Sequence, residues 1–279
     1  MSAPSVDRWL NAKEIEGRSD RTIEYYRTTG DRLADFLGRD PIDATTEEIR
    51  SFLASFKATC SNVTINNHRR NLNSYYCFLE DEDEIVKSPM RRIHYIKESK
   101  RVKLPFSDDE LELIRQNTNG LEETAIVTFL ISTGCRVGEV VSVLRDDADL
   151  KEKEVKVCGK GDKERVVFLD ADAKISLERY LATRDDDCEY LFAKRCDGVV
   201  EKYTVKEIEQ MMRKIGRRAK VEHVHPHRFR RTFATRAIEH GMPIEQVRDL
   251  LGHVNIATTL IYAVVSHESA RAAHKRYLS

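Results

Sequence analysis

Six residues of this chain are of the types that can break and remake a phosphodiester without a metal: Arg136, Lys160, His227, Arg230, His253 and Tyr262. Such a reaction needs a nucleophile for phosphorus, positive groups for the charge that builds on the non-bridging oxygens, and a proton donor for the leaving 5′-oxygen. Arginine suits the second task, because its planar fork grips phosphate through two parallel hydrogen bonds and keeps its charge at any working pH. A tyrosine hydroxyl can form a phosphotyrosyl ester, which conserves the energy of the broken bond for rejoining. Each residue also has an ordinary reading. By itself Arg136 is a surface arginine near a helix start. Lys160 is a hairpin lysine, with Lys163 and Arg165 as neighbours that could take its part. Tyr262 is a half-buried helix tyrosine, with Tyr277 as a second choice near the C-terminus.

Other chemistries fit less well. His223, His225 and His227 alternate as ligands on a strand would, but no nearby Asp, Glu or Cys completes a metal set, and Pro226 fits the first turn of a helix. The stretch from Cys158 to Arg165 has one residue too many for a phosphatase loop, and Gly159-Lys160-Gly161 lacks the rest of a P-loop. The six cysteines are scattered without a C-x-x-C pair, which reads as reduced structural thiols.

Four segments carry a family resemblance. Thr133-Gly134-Cys135-Arg136-Val137-Gly138-Glu139 resembles the first-arginine box of the tyrosine recombinases, the phage-integrase and Xer family. Gly159-Lys160-Gly161-Asp162-Lys163-Glu164-Arg165, with its lysine 24 residues beyond Arg136, is similar to that family's lysine hairpin. Pro226-His227-Arg228-Phe229-Arg230 resembles its H-x-x-R box, and Leu250-Leu251-Gly252-His253 followed by Tyr262 its last box, with histidine and tyrosine nine apart. The boxes keep the family's order over about half the chain. The resemblance implies that Arg136 and Arg230 clamp the scissile phosphate and that Lys160 protonates the leaving 5′-oxygen. It implies that His227 assists proton transfer at the nucleophile and that His253 hydrogen-bonds the phosphate. Tyr262 then attacks to give a 3′-phosphotyrosyl link, and Glu139 is a supporting acid that orients its neighbours. No metal or other cofactor is implied.

The elements that must position these residues fall into two domains with a mainly α fold and a small β-sheet. The first, residues 1–85, reads as helices: one around Val6 to Ile15, one capped at Ser19 or Asp20 and closed near Gly38, one opened by the capping box Thr45-Thr46-Glu47-Glu48, and one from Ser61 or Asn62. It is similar in layout to the family's core-binding domain. Residues 86–105 are charged, hold two prolines and lack periodicity, as a linker does. The catalytic domain, residues 106–279, is mixed α/β. Glu154 to Val157 and Arg165 to Leu169 alternate as strands around the glycine-bearing hairpin. Helices follow over Ser176 to Leu181, Val205 to Ala219, Pro226 to Glu239 and Pro243 to Leu251. Another is capped at Asn255, and a helical tail runs from Ser266.

Composition sets the limits. With 279 residues, 41% hydrophobic and 34% charged, the chain is a globular protein of about two domains. It has no membrane-spanning run and no signal-peptide core, which points to the cytoplasm. Its 47 basic and 47 acidic side chains cancel, so a DNA surface must come from distribution. Between Arg213 and Arg236 nine basic residues face one acid, Glu222. The expected partner is double-stranded DNA, held by four copies, or by copies of this chain and a related recombinase, on two paired sites, with accessory proteins possible. The expected task is integration and excision or dimer resolution, through type IB topoisomerase-like chemistry. The lack of room before Val6 for an arm-binding domain favours the simpler Xer-like layout. Two other classes share parts of the pattern. The complete residue set argues against a DNA-binding protein without catalysis, and the small helical domain and box spacing argue against a topoisomerase.

Overall fold

Among the described residues, short polar side chains begin most helices, and left-handed glycines end three of them. A computed structural model of the chain describes residues 3–97, 104–159, 163–253, 255–256 and 259–260. They fall into two compact units, Met1–Arg101 and Val102–Ser279.

The first unit is helical, with α1 (Pro4–Ile15), α2 (Asp20–Leu37), α3 (Thr46–Ser55) and α4 (Asn62–Asp81). Thr45 and Glu48 cap each other reciprocally at the start of α3, Ser61 caps α4, and Gly38 at φ +68° closes α2. Trp9, Leu33, Ile49, Ile65, Leu72 and Tyr76 fill the core. Burying one such side chain contributes roughly 1.5–3 kcal/mol, against about 0–1 for an exposed ion pair such as Arg8–Glu84. Packing therefore holds this unit together.

Part of the expected 86–105 linker folds onto this unit. Pro89–Arg92 forms a 3-10 turn capped by Ser88, and Met90 and Ile93 are buried in the helical core. Beyond it, α4 grips the backbone with polar side chains. Asn66 both donates to the Ile96 carbonyl and accepts from the Ile96 amide, each at 2.9 Å. Asn62 donates to the Lys97 carbonyl, and Arg69 to that of Ile93. Charge dominates the composition here and conceals two buried apolar residues.

The second unit surrounds α6 (Gly120–Thr133), whose residues Ala125, Ile126, Val127, Phe129 and Leu130 are all buried. From Ala125 to Leu130 this helix is buried all round, as in the centre of a core. Before it comes α5 (Asp108–Gln116), begun by the reciprocal cap Ser107–Glu110, and after it α7 (Val137–Ser142). A three-stranded antiparallel sheet follows in the order β1 (Ala148–Asp149), β2 (Glu154–Cys158), β3 (Glu164–Phe168). Val155, Val157 and Val167 point into the core. Cys158 pairs with Glu164 as the last rung, and the Gly159 amide donates to the Lys163 carbonyl beyond it. Next are α8 (Ala171–Leu181), the hairpin β4 (Ala193–Cys196) and β5 (Val199–Lys202), α9 (Val205–Ala219), α10 (Pro226–Glu239) and α11 (Ile244–Leu251). Among the described residues no helix is long and apolar enough to cross a membrane.

Three features depart from the expectation. α8 starts at Ala171, before Ser176, because Asp170 accepts the Ala173 amide as an N-cap. β1 has two residues, too few for alternation to register. The β4–β5 hairpin turns on Asp197 and Gly198, both at positive φ, a two-residue turn of the kind that suits the twist of paired strands.

Replacing Asn66 by Ala removes both bonds to Ile96. Native-state hydrogen exchange should then show the Ile96 amide opening at least tenfold faster, about 1–3 kcal/mol, with the Leu72 amide unchanged. Unaltered exchange at Ile96 would show that α4 does not hold this segment.

Candidate active site

The first-arginine box is a helix-to-helix corner. Gly134, at φ +59°, ends α6, and a Cβ there would lie 2.9 Å from the ring of Phe233 on α10, so the corner needs glycine for both conformation and space. Thr133 turns inward to the Phe129 carbonyl and Cys135 is buried. Arg136 is the N-cap residue of α7, and Glu139 occupies that helix's third position.

Glu139 is 3% exposed and holds two arginines. Its Oε2 accepts the Arg136 amide at 2.7 Å and its Oε1 accepts Arg136 Nη1 at 2.9 Å. The same two oxygens take the fork of Arg165 from β3, Nη1 at 2.6 Å and Nη2 at 2.9 Å. Burial alone would raise the Glu139 pKa. The hydrogen bonds from Arg165 and the Arg136 amide, together with the Arg165 charge, outweigh it and hold the carboxyl below its usual range. Burial likewise opposes the charge on Arg165, and Glu139 reverses the balance.

α11 ends in Gly252 at φ +62°, with the His253 amide bonded back to Arg248 and the Gly252 amide to Asp249. A helix leaves its last carbonyls without partners. Here three consecutive ones accept from three arginines: Leu250 from Arg165 Nε at 2.9 Å, Leu251 from Arg230 Nη2, and Gly252 from Arg136 Nη2 at 2.9 Å. Cations at a helix C-terminus are favoured by its dipole. Arg230 also donates to the Gly134 carbonyl at 2.9 Å and so joins the ends of α6 and α11.

His227 and Arg230 lie three apart on α10, hence on one face, with Pro226 in the helix's first turn. His253 Nδ1 shares a 2.8 Å hydrogen bond with Thr259. Both histidines have lowered pKa values. For His253 burial and then Arg230, Arg136 and Arg165 bring it to about 4, and for His227 burial and then Arg230 and Arg136 act in the same direction. The structure thus brings Arg136, Glu139, Arg230, His227 and His253 to one place. Lys160 and Tyr262 lie outside the described residues, as does the expected tail from Ser266. The helix assigned to an Asn255 cap is seen only at Thr259 and Leu260, whose amides bond to the Ile256 carbonyl.

Arg165 is the residue that sequence reasoning misplaced. Arg165 is a partner of Glu139 rather than an alternative to Lys160. The signal was present, since alternation puts it on the inward face with Val167, and an inward arginine requires a carboxylate. The basic run is also less bare than it reads. Arg218 pairs with Glu123, Arg228 with Glu110 and Arg236 with Asp108, all acids distant in sequence. Among the described residues no group of three or more His, Cys, Asp or Glu could hold a metal ion, and His223 stands exposed beside Glu222.

The lowered histidine sets a pH dependence. His253 is neutral in the folded protein down to about pH 4 but takes a proton near 6.5 when unfolded. Its contribution to stability is therefore intact above about pH 6.5 and is lost as pH falls toward 4. Ring NMR of the DNA-free protein should place its midpoint near 4, and His253→Gln should reduce the fall in melting temperature between pH 6.5 and 4. A midpoint near 6.5 would contradict the burial and charge described above.

Residues 115–269 match the phage integrase family, and residues 6–83 match the phage integrase N-terminal SAM-like domain. The chain is 31% identical to tyrosine recombinase XerC of Oceanobacillus iheyensis, over 97% of this chain and 94% of that protein. It is 30% identical to tyrosine recombinase XerA of Pyrococcus horikoshii, over 98% and 93%. In structure it resembles the Tn1549 transposon integrase in complex with transposon right end DNA, with a TM-score of 0.80 over 97% of this chain and 98% of that one; at 22% identity the likeness is one of fold. With Arg136, Glu139, His227, Arg230 and His253 brought to one place and these matches along the chain, it belongs to the phage integrase family and is a Xer-like tyrosine recombinase.

Proposed function

We propose that the protein cuts and rejoins duplex DNA at specific sites through Tyr262, with Arg136, Lys160, His227, Arg230 and His253 as its catalytic residues. The observation that carries this reading is the convergence of Arg136 and Arg230, both anchored on the α11 terminus, with His227 and His253 around them. Arg136 uses two of its donors on Glu139 and Gly252 and keeps a third of its side chain exposed, which suits a phosphate clamp. In the cleavage step Tyr262 Oη bonds to phosphorus while the bond to the 5′-oxygen breaks. The arginines stabilise the charge on the non-bridging oxygens. His227 takes up the tyrosine proton, His253 hydrogen-bonds the phosphate, and Lys160 gives a proton to the leaving oxygen. Religation reverses these transfers, and the energy of the original bond stays in the 3′-phosphotyrosyl ester.

The helical unit serves as the core-binding domain and the second as the catalytic domain, so that one copy grips one half-site. Four copies, of this chain alone or with a related recombinase, then act on two paired sites in the cytoplasm, with accessory proteins able to choose the direction. The Tn1549 integrase was solved with transposon right end DNA, which supports duplex DNA as the partner. The segment from Ser266 to the C-terminus docks on a neighbouring copy and links cleavage to assembly.

Incubation with a nicked target should trap a DNA-linked protein, and Tyr262→Phe should trap none while still binding the site; an adduct formed by Tyr262→Phe would disprove the assignment. Deleting residues 266–279 should weaken assembly on paired sites and cleavage more than binding of one copy to one site, as read by gel shift. Unchanged synapsis would remove the docking role.

A further inference from the structure

Arg165 is no member of the proposed catalytic set, yet it touches three elements of the site. Its fork lies on Glu139 of α7, its Nε donates to Leu250 at the end of α11, and its backbone pairs with Val157 across β2 and β3. Gly159, at the end of β2, lies over the same ion pair. A Cβ built on it would meet Glu139 Oε1 at 3.5 Å and Arg165 Nη1 at 3.7 Å. The Arg165 side chain is only 12% exposed, so it is placed to hold rather than to react. The carboxylate that orients Arg136 therefore also seats the base of the hairpin that leads to Lys160.

We infer that Arg165 is a positioning residue of the strand-cleavage reaction: by pairing with Glu139 it seats the β2–β3 hairpin so that the proton donor following Gly159 meets the leaving 5′-oxygen. This rests on the reading of Lys160 as that donor. During cleavage the Tyr262–phosphorus bond forms, the bond from phosphorus to the 5′-oxygen breaks, and that oxygen takes its proton from Lys160. Sulfur in place of the bridging 5′-oxygen alters one requirement only. A thiol ionises near pH ~8.5, so the thiolate leaves without a proton, whereas an alkoxide needs one.

Single-turnover cleavage of a nicked target with bridging oxygen or bridging sulfur tests this, using the wild type, Lys160→Ala, Arg165→Ala and Arg165→Lys. On oxygen, Lys160→Ala and Arg165→Ala should both be slower by roughly 10²–10⁴-fold, the usual worth of a placed general acid. Arg165→Lys keeps the charge without the fork and should fall between. On sulfur all three should return to within about tenfold of the wild type. A loss caused only by damage to the fold would persist on sulfur. Should Arg165→Ala fail to fold, as judged by circular dichroism, Arg165→Lys is read in the same way. If sulfur rescues Lys160→Ala but not the Arg165 variants, the inference is overturned and the role of Lys160 stands. If sulfur rescues neither, Lys160 is not the donor and the inference falls with it. Wild-type rates on oxygen for Arg165→Ala would also overturn it.

Discussion

A single carboxylate, Glu139, held between Arg136 and Arg165 under nearly complete burial, is the interaction on which the site depends. Burying an acid is costly unless its oxygens are met by charge and donors. Glu139 meets that condition with four hydrogen bonds from two arginines, one of them backbone. In return it fixes the direction of Arg136, whose other Nη reaches the end of α11. Three successive carbonyls there bind three arginines, so the guanidinium groups and the stretch leading to His253 are located by the same bonds. A phosphate entering such a site meets donors already oriented, and little reorganisation is left for the moment of reaction.

The same geometry explains how a chain with balanced charge can present a positive centre. Arginines of the basic run from Arg213 to Arg236 are partly neutralised by acids brought from α5 and α6. Positive charge instead gathers at Arg136, Arg165 and Arg230 against one carboxylate. Burial, and after it that excess of charge, keeps His253 and His227 neutral in the free protein at neutral pH. A bound phosphate brings negative charge to the same place and favours the protonated rings, which makes substrate binding and proton placement parts of one electrostatic balance.

Much of this was legible in the sequence, because the physics that sets it is local. The capping box at Thr45, the glycine stops at Gly38 and Gly252, the proline start of α10 and the alternation of β2 and β3 all rest on contacts within a few residues. The convergence of Arg136, His227, Arg230 and His253 followed from the resemblance of whole boxes rather than from any one residue. What stayed hidden depends on distant partners. Arg165 looked like a spare lysine-hairpin cation until Glu139, 26 positions away, was placed beside it. The charged segment after residue 86 read as linker, although Asn66 and two buried apolar residues bind part of it to the helical unit. The Asp197-Gly198 turn went unread, because the short strands beside it carry too little apolar pattern to mark a hairpin.

Phosphotyrosyl transfer at a clamped phosphate is tested most closely by mapping the residue that becomes linked to DNA. The protein trapped on a nicked target would be digested with nuclease and trypsin and its peptides fragmented by mass spectrometry. A nucleotide attached through its 3′-phosphate to Tyr262, within the peptide of residues 249–271, is the expected product. A nucleotide on Tyr277 or on any other side chain, or one linked through its 5′-phosphate, would contradict it.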